Sequence, residues 1–229
     1  VFWRAPTTGF SALAATLAAV AWRLSPSTSR LIYCNTYGFQ FLYFAMPFVA
    51  LAVAALLRNK MLLYWISVGL VLLSKETTAS IVFGIGLYAL LFTPRRLTGA
   101  ATVVLSFAFL LVCTQIIIPH YAAGQRYERI DLYGDLADSL PDLMTALVTR
   151  SGDIITLLGR GESLHLTSLL LCVIALLPFL NWRLALAALP TFFFLFLLQN
   201  GDWISIKFWH HCTVLPVLFL AAISFTRRE

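Results

Sequence analysis

Apolar runs separated by short polar connections make up most of the chain. Most runs are about 14 to 20 residues long, and about 20 apolar residues in a helix, rising 1.5 Å each, cross a hydrocarbon core about 30 Å thick. The predicted spans are residues 7–22, 39–57, 61–74, 77–92, 97–118, 164–180, 184–199 and 212–225. The pattern therefore predicts an all-α, polytopic transmembrane helical bundle of about eight spans that forms a single domain over residues 1–229.

Two charged residues, Lys75 and Glu76, interrupt the apolar stretch between residues 61 and 92. One uninterrupted helix here would be about 48 Å long and would place both charges at mid-membrane, at a cost of about 2.5–3.5 kcal/mol each. A turn at the membrane surface keeps both charges near water. The pattern therefore favours a helical hairpin with Lys75 and Glu76 at its end.

Composition supports a membrane protein. Hydrophobic residues make up 60% of the chain and charged residues 11%, whereas soluble domains average about 45–50% and about 25%. The formal charge of +6 comes from Lys and Arg residues in small groups between apolar runs. This distribution indicates membrane topology and does not predict a nucleic-acid partner, which would need a basic stripe.

The basic groups predict the orientation of the bundle. With eight spans, very short connections on one side contain Arg4, Arg58, Lys60, Arg95, Arg96, Arg183, Arg227 and Arg228. Dense basic residues in short connections face the cytoplasm, so we expect the long polar loop 119–163 to lie outside. Within that loop, Ser139 followed by Pro141 predicts the start of a short helix on the membrane surface. The residues predicted to share its apolar face are Leu140, Leu143, Leu147 and Val148.

The polar residues that could take part in chemistry fall in four groups on the predicted outer side. They are Lys75 with Glu76, then Asp202, Lys207, His210 and His211 in NGDWISIKFWHH, Tyr37 and Gln40 in YCNTYGFQ, and Arg126 in the long loop. A charged pair between two apolar runs needs a partner, water or a ligand, although an ordinary charged turn explains it equally well. An arginine fork matches phosphate geometry, and the two histidines leave a divalent metal open. Interfacial capping, an aromatic belt or a solvated loop would explain the last three groups without any ligand.

Four segments of the sequence resemble a known family. NTYGFQFLYFAMPF, VLLSKETTASIVFGIGLYALL, IIIPHY and HHCTVLPVLFLAA are similar to segments of the prokaryotic membrane proteins named for domain of unknown function 2079. The resemblance runs from about residue 10 to residue 222 and includes Lys75 and Glu76. The family pattern tends to have acidic and histidine residues where this chain has Gly38 and Gln40, so the resemblance does not assign a role to that turn.

That family looks similar to the polytopic GT-C type glycosyltransferases, which take sugar from a polyprenyl-phosphate carrier at the outer membrane face. The resemblance implies a GT-C-like bundle in a prokaryotic plasma membrane, with a lipid-linked sugar donor as partner. Lys75, Arg126 and Lys207 would contact phosphate, Glu76 would be the catalytic residue, and Asp202, His210, His211, Gln40 and Tyr37 would complete the substrate-binding set.

Two further hypotheses remain beside the enzyme. A transporter or flippase would have ionisable residues near mid-membrane, and a non-catalytic membrane scaffold would have neither activity. Because the chain starts at Val1, we expect it to be a fragment lacking its N-terminus. The resemblance then implies that a catalytic acid could lie upstream, in the first external loop of a complete protein.

Overall fold

The computed structural model describes residues 20, 22–23, 41–122, 128–173, 181–199 and 212–225, and every regular element among them is helical. The α-helices are α1 Phe41–Leu57, α2 Met61–Ser74, α3 Ala79–Phe92, α4 Arg96–Tyr121, α5 Leu140–Thr149, α6 Ser151–Leu158, α7 Gly161–Val173, α8 Trp182–Phe196 and α9 Leu215–Phe225. Short 3-10 segments cover Glu76–Thr78, Glu128–Leu136 and Cys212–Val214. The all-α prediction holds for the described residues.

The predicted spans agree closely with the helices, but eight crossings are not confirmed. Among the described residues, α4 is long and apolar enough to cross a membrane, with 26 residues, and the other apolar helices have 10 to 17. The predicted span 7–22 and the end of the predicted span 164–180 lie almost wholly outside the described residues. The predicted loop 119–163 is largely helical where it is described, because α5 and α6 occupy it and α7 begins at Gly161.

Close backbone contact joins α3 to α4 in an antiparallel pair. A Cβ added at Gly99 would lie 2.3 Å from the backbone nitrogen of Leu90, and one at Gly86 would lie 2.9 Å from that of Val103. Small residues at these positions let the two helices approach, as is common where helices pack within a membrane. The α3–α4 pair therefore depends on its glycines.

The helices α2 and α3 run in opposite directions. The Tyr64 hydroxyl, near the start of α2, lies 2.7 Å from Thr102 Oγ1, in the first third of α4. Thr77 and Ser80, at the turn between α2 and α3, line the same cavity as Thr114 near the other end of α4. The helix α2 is thus parallel to α4 and antiparallel to α3. The predicted hairpin with Lys75 and Glu76 at its end is therefore present.

The basic connections that the structure describes gather at one end of the bundle, opposite the Lys75–Glu76 turn. Arg183, at the start of α8, has its Cζ atom 5.9 Å from the ring centroid of Phe92, the last residue of α3. Arg96 begins α4 only four residues further on. We call this the basic end, and the end with the Lys75–Glu76 turn the cavity end. The cytoplasmic position of the basic end stays a prediction.

The core and the surface have the distribution expected for a bundle in lipid. From Cys212 to Ala222 every residue is buried, so the last helix runs through the core. In contrast, α4 exposes large apolar side chains along its length, including Leu97 at 88%, Val104 at 66% and Ile116 at 63%. An apolar face this extensive is stable against hydrocarbon and costly against water.

The short helix predicted at Ser139 is present as α5. The Ser139 hydroxyl accepts a hydrogen bond from the Asp142 backbone nitrogen at 3.2 Å, which caps the helix. Leu143 is fully buried and Leu147 is partly buried, as its predicted apolar face requires. The assignment of Val148 to that face is wrong, because Val148 is 82% exposed. Five residues separate Leu143 from Val148, and about 500° of helical rotation turns Val148 away from the buried side.

Candidate functional site

The turn at Lys75 and Glu76 is a defined break between two helices. Lys75 ends α2 in an extended conformation, with φ −169° and ψ 149°. The Thr78 hydroxyl closes the turn through the carbonyl oxygens of Val71 and Lys75, each 2.7 Å away. Glu76 begins the 3-10 segment that leads into α3, where a carboxylate is favourable because of the helix dipole. Lys75 and Glu76 are both half-buried, so neither is fully surrounded by water.

A cavity of about 120 Å³ lies beside this turn, at the cavity end of the bundle. Part of its apolar wall comes from leucine and phenylalanine side chains of α1, α4 and α8. Five small hydroxyl side chains also line it: Thr77, Ser80, Thr114, Thr191 and Thr213. We call it the hydroxyl cavity. It combines apolar walls with a few polar groups, as ligand sites usually do.

The hydroxyls of the cavity come from separate parts of the chain. Ser80 Oγ lies 3.1 Å from Thr191 Oγ1, which joins α3 to α8 across 111 residues of sequence. Ser80 Oγ is also 2.9 Å from the Thr77 carbonyl oxygen, and Thr114 Oγ1 donates to the Leu110 carbonyl oxygen at 2.8 Å. Thr191 and Thr213 are 7% and 3% exposed. Thr191 and Thr213 are therefore shielded from bulk solvent by the surrounding helices.

The segment Glu128–Leu136 forms another wall of the hydroxyl cavity, through Ile130, Leu132 and Tyr133. Burial raises the pKa of Tyr133 to about 12, so this phenol stays protonated and uncharged at neutral pH. The Gln199 backbone nitrogen donates to the Leu132 carbonyl oxygen at 2.9 Å. Gly134 has φ +52°, and a Cβ there would lie 2.1 Å from Gln199 Oε1. Glycine is therefore required where this segment passes the end of α8.

Arg160 holds the end of α8 in place. Its guanidinium donates to the carbonyl oxygens of Phe196 at 2.8 Å and Gln199 at 3.2 Å, and also to that of Leu198. The last carbonyl groups of a helix have no partner within the helix, so a cation is favourable there. Arg160 thus links the α6–α7 connection to α8, two turns from Thr191.

The helix α4 changes geometry beside the same site. Residues Cys113–Ile117 form a π-helical turn, a feature often found at functional sites. Thr77, which follows Glu76, lines the same cavity as Thr114 in this turn and Thr213 next to Cys212. The π-helical turn also contains Cys113. Both cysteines are buried and free, as expected for small apolar side chains. The charged pair is therefore close to α4 and to the start of the last helix.

The remaining predicted site residues lie outside the described residues. These are Tyr37, Gln40, Arg126, Asp202, Lys207, His210 and His211. The structure therefore leaves untested the predicted convergence of Lys75 and Glu76 with the histidine pair. The described neighbours do converge, because Thr77 follows Glu76 directly, Thr213 comes two residues after His211, and both line the hydroxyl cavity. Among the described residues, no group of three His, Cys, Asp or Glu side chains could hold a metal ion.

Sequence reasoning missed the five hydroxyls and Arg160. A serine or threonine within an apolar helix usually bonds to its own backbone, so none of them was distinctive alone. One signal was available. Thr77, Thr114 and Thr213 each lie near the predicted outer end of a span, and Ser80 follows Thr77 by one helical turn.

The described residues form a helical bundle with one helix long and apolar enough to cross a membrane, and with an apolar cavity lined by hydroxyl groups at one end. The chain belongs to the family of predicted membrane proteins named for domain of unknown function 2079 (DUF2079), whose model matches residues 1–229. No curated protein and no solved structure matches the chain. The family match confirms the predicted family and the membrane protein class.

Proposed function

We propose that the chain is a GT-C-like membrane glycosyltransferase that takes sugar from a polyprenyl-phosphate carrier at the outer membrane face. The observation that supports this best is the hydroxyl cavity beside Lys75 and Glu76, because it pairs a carboxylate and a cation with a small polar space. The basic end then faces the cytoplasm of a prokaryotic cell. The donor lipid lies against the apolar surface of the bundle.

The charges suit the reaction. In glycosyl transfer, positive charge develops on the sugar ring while negative charge develops on the departing phosphate. Fixed charges placed where these develop stabilise the transition state. Glu76 takes the proton of the acceptor hydroxyl, and Lys75 balances the phosphate.

The rest of the proposed site surrounds this pair. Arg126 and Lys207 add phosphate contacts, as arginine forks and lysine ammonium groups do elsewhere. Asp202, His210, His211, Gln40 and Tyr37 complete the set that holds the donor. A divalent metal bound by His210 or His211 would add positive charge at the phosphate.

The test uses the full chain in proteoliposomes supplied with polyprenyl-phosphate hexoses carrying radiolabelled sugar, with free glucose and water as hydroxyl acceptors, with Mg²⁺ and with a chelator. We expect loss of label from the lipid, and a rate lower by about 100-fold or more in Glu76→Gln, the usual weight of a general base. Glu162→Gln is the matched control, because Glu162 is an exposed acid at the start of α7. Equal rates in Glu76→Gln and Glu162→Gln would show that Glu76 does not act in the reaction.

The same vesicles distinguish the alternative functions. Movement of the intact sugar lipid between leaflets without transfer would identify a flippase. The absence of both transfer and movement would indicate a non-catalytic scaffold. Both results contradict the proposal. Transfer that depends on Glu76 supports it.

A further inference from the structure

We propose that the hydroxyl cavity binds an uncharged, hydroxyl-rich ring, the sugar of the donor, and that the phosphate stays outside it. This inference rests on the proposed function and names the substrate group that the cavity accepts. The preference for a sugar over a phosphate depends on which cavity hydroxyls already donate their hydrogen within the protein, and on which charged side chains line the cavity.

Three of the five cavity hydroxyls, those of Ser80, Thr114 and Thr191, have hydrogen-bond partners within the protein. Thr114 donates its hydrogen to the Leu110 carbonyl oxygen, at 2.8 Å. If Ser80 donates to the Thr77 carbonyl oxygen at 2.9 Å, then Thr191 must donate to Ser80 across 3.1 Å. A hydroxyl has one hydrogen and two lone pairs, so these groups retain only acceptor capacity.

Acceptors select a ligand that donates. Each hydroxyl of a sugar can donate a hydrogen bond, whereas an ionised phosphodiester oxygen can only accept one. A phosphate oxygen placed against the hydroxyl oxygens of Thr114 and Thr191 would bring two hydrogen-bond acceptors together with no hydrogen between them. Hydroxyl groups of a sugar would satisfy the same atoms.

The walls select against charge. Among the described residues that line the cavity, no side chain is charged at neutral pH, and Tyr133 stays a neutral phenol. A charged group placed there would lose its hydration without a compensating ion, which is costly. Lys75 lies at the turn two residues before Thr77 of the cavity wall, so a phosphate outside the cavity at this turn would meet a cation.

The size of the cavity agrees with one ring. About 120 Å³ is well below the roughly 300–1,000 Å³ of sites that enclose a drug-sized ligand. The aromatic side chains of Phe194 and Tyr133 add flat apolar surface. A single sugar ring, with polar edges and apolar faces, matches this combination.

The test measures binding of octyl glucoside and octyl phosphate to the full chain in lipid nanodiscs, below the micelle concentration of each probe. Thr114→Val and Thr191→Val remove a hydroxyl at nearly constant shape. Each should weaken octyl glucoside binding about five-fold, the weight of one neutral hydrogen bond, and leave octyl phosphate binding unchanged. Thr191→Ser should bind like the wild type, since the hydroxyl is kept.

Thr149→Val is the matched control. Thr149 is exposed, bonds to its own helix at the Thr145 carbonyl oxygen, 3.0 Å away, and does not line the cavity. Free glucose distinguishes the source of the ring. Weaker binding of free glucose than of octyl glucoside would assign the ring to a lipid-linked sugar, and equal binding would assign it to a water-soluble glycan. Either result supports a ring in the cavity if Thr114→Val and Thr191→Val weaken the binding.

Two results would overturn the inference. One is a loss of octyl phosphate binding, with octyl glucoside unaffected, in the valine variants. The other is wild-type binding of both probes in a folded Thr191→Val protein. Sugar binding without any transfer would refute the proposed function alone, while transfer unaffected by Thr191→Val would refute the cavity assignment alone.

Discussion

Replacing Gly84 with alanine should loosen the contact between α3 and α8 on which the hydroxyl cavity depends. A Cβ added at Gly84 would lie 1.9 Å from the Ala187 carbonyl oxygen and 2.8 Å from its carbon. Both atoms belong to the backbone, so no side chain can move aside. Ser80 and Thr191 lie one helical turn from Gly84 and Ala187, and the same crossing places their hydroxyls 3.1 Å apart.

The expected loss of stability in Gly84→Ala can be worked out by comparison with a matched substitution, Gly69→Ala. Gly69 lies within α2, and a Cβ added there would meet nothing within 4 Å. Alanine gains roughly 1 kcal/mol over glycine in a helix interior at either position. Overpacking against fixed backbone costs about 1–3 kcal/mol. The free energy of unfolding of Gly84→Ala should therefore be lower than that of Gly69→Ala by about 1–3 kcal/mol.

Chemical unfolding in detergent micelles measures this difference through tryptophan fluorescence, since the chain has six tryptophans. Binding of octyl glucoside in nanodiscs supplies the second measurement. It should weaken in Gly84→Ala and stay unchanged in Gly69→Ala, because only the former separates Ser80 from Thr191. Equal stability and equal binding in the two variants would show that α3 and α8 do not cross at Gly84.

Three further predictions test other parts of the fold. A membrane-impermeant thiol reagent should label a cysteine at Asp135 in intact cells and miss one at Arg95, and the reverse pattern would invert the topology. Arg160→Met keeps the apolar stem but loses its bonds to the end of α8, so stability in detergent should fall by about 2 kcal/mol. Arg150→Met loses an exposed ion pair with Asp153 and an exposed hydrogen bond to the Asp135 carbonyl oxygen, and should lower stability by less, about 1 kcal/mol. Ser139→Ala removes the cap of α5 and should cost about 1 kcal/mol of stability, and no change would mean that the cap is not formed.

The helices could be predicted from sequence because their causes are local. The predicted span 61–74 coincides with α2, since apolar residues fill the run and Lys75 ends it. Ser139 predicted the start of α5 for the same reason, as a cap acts within four residues. The hairpin followed from the cost of placing Lys75 and Glu76 within a membrane.

The hydroxyl cavity could not be predicted, because its causes are distant. Ser80 and Thr191 meet across 111 residues, at the same helix crossing where Gly84 approaches the backbone of Ala187. Arg160 likewise reaches Phe196 across 36 residues. One sequence shows which side chains can bond, but their partners depend on helix packing.

The convergence of the two polar pairs is the central claim, and a distance between spin labels tests it most directly. In a chain whose four cysteines are replaced, labels at Glu76 and His210 report whether the turn and the histidine pair share the cavity end. A control pair at Glu76 and Arg95 spans the 14 residues of α3, about 21 Å at 1.5 Å per residue. The account predicts a distance between Glu76 and His210 that is clearly shorter than the control distance. A distance equal to or longer than the control would place the histidines away from the turn and contradict a shared site.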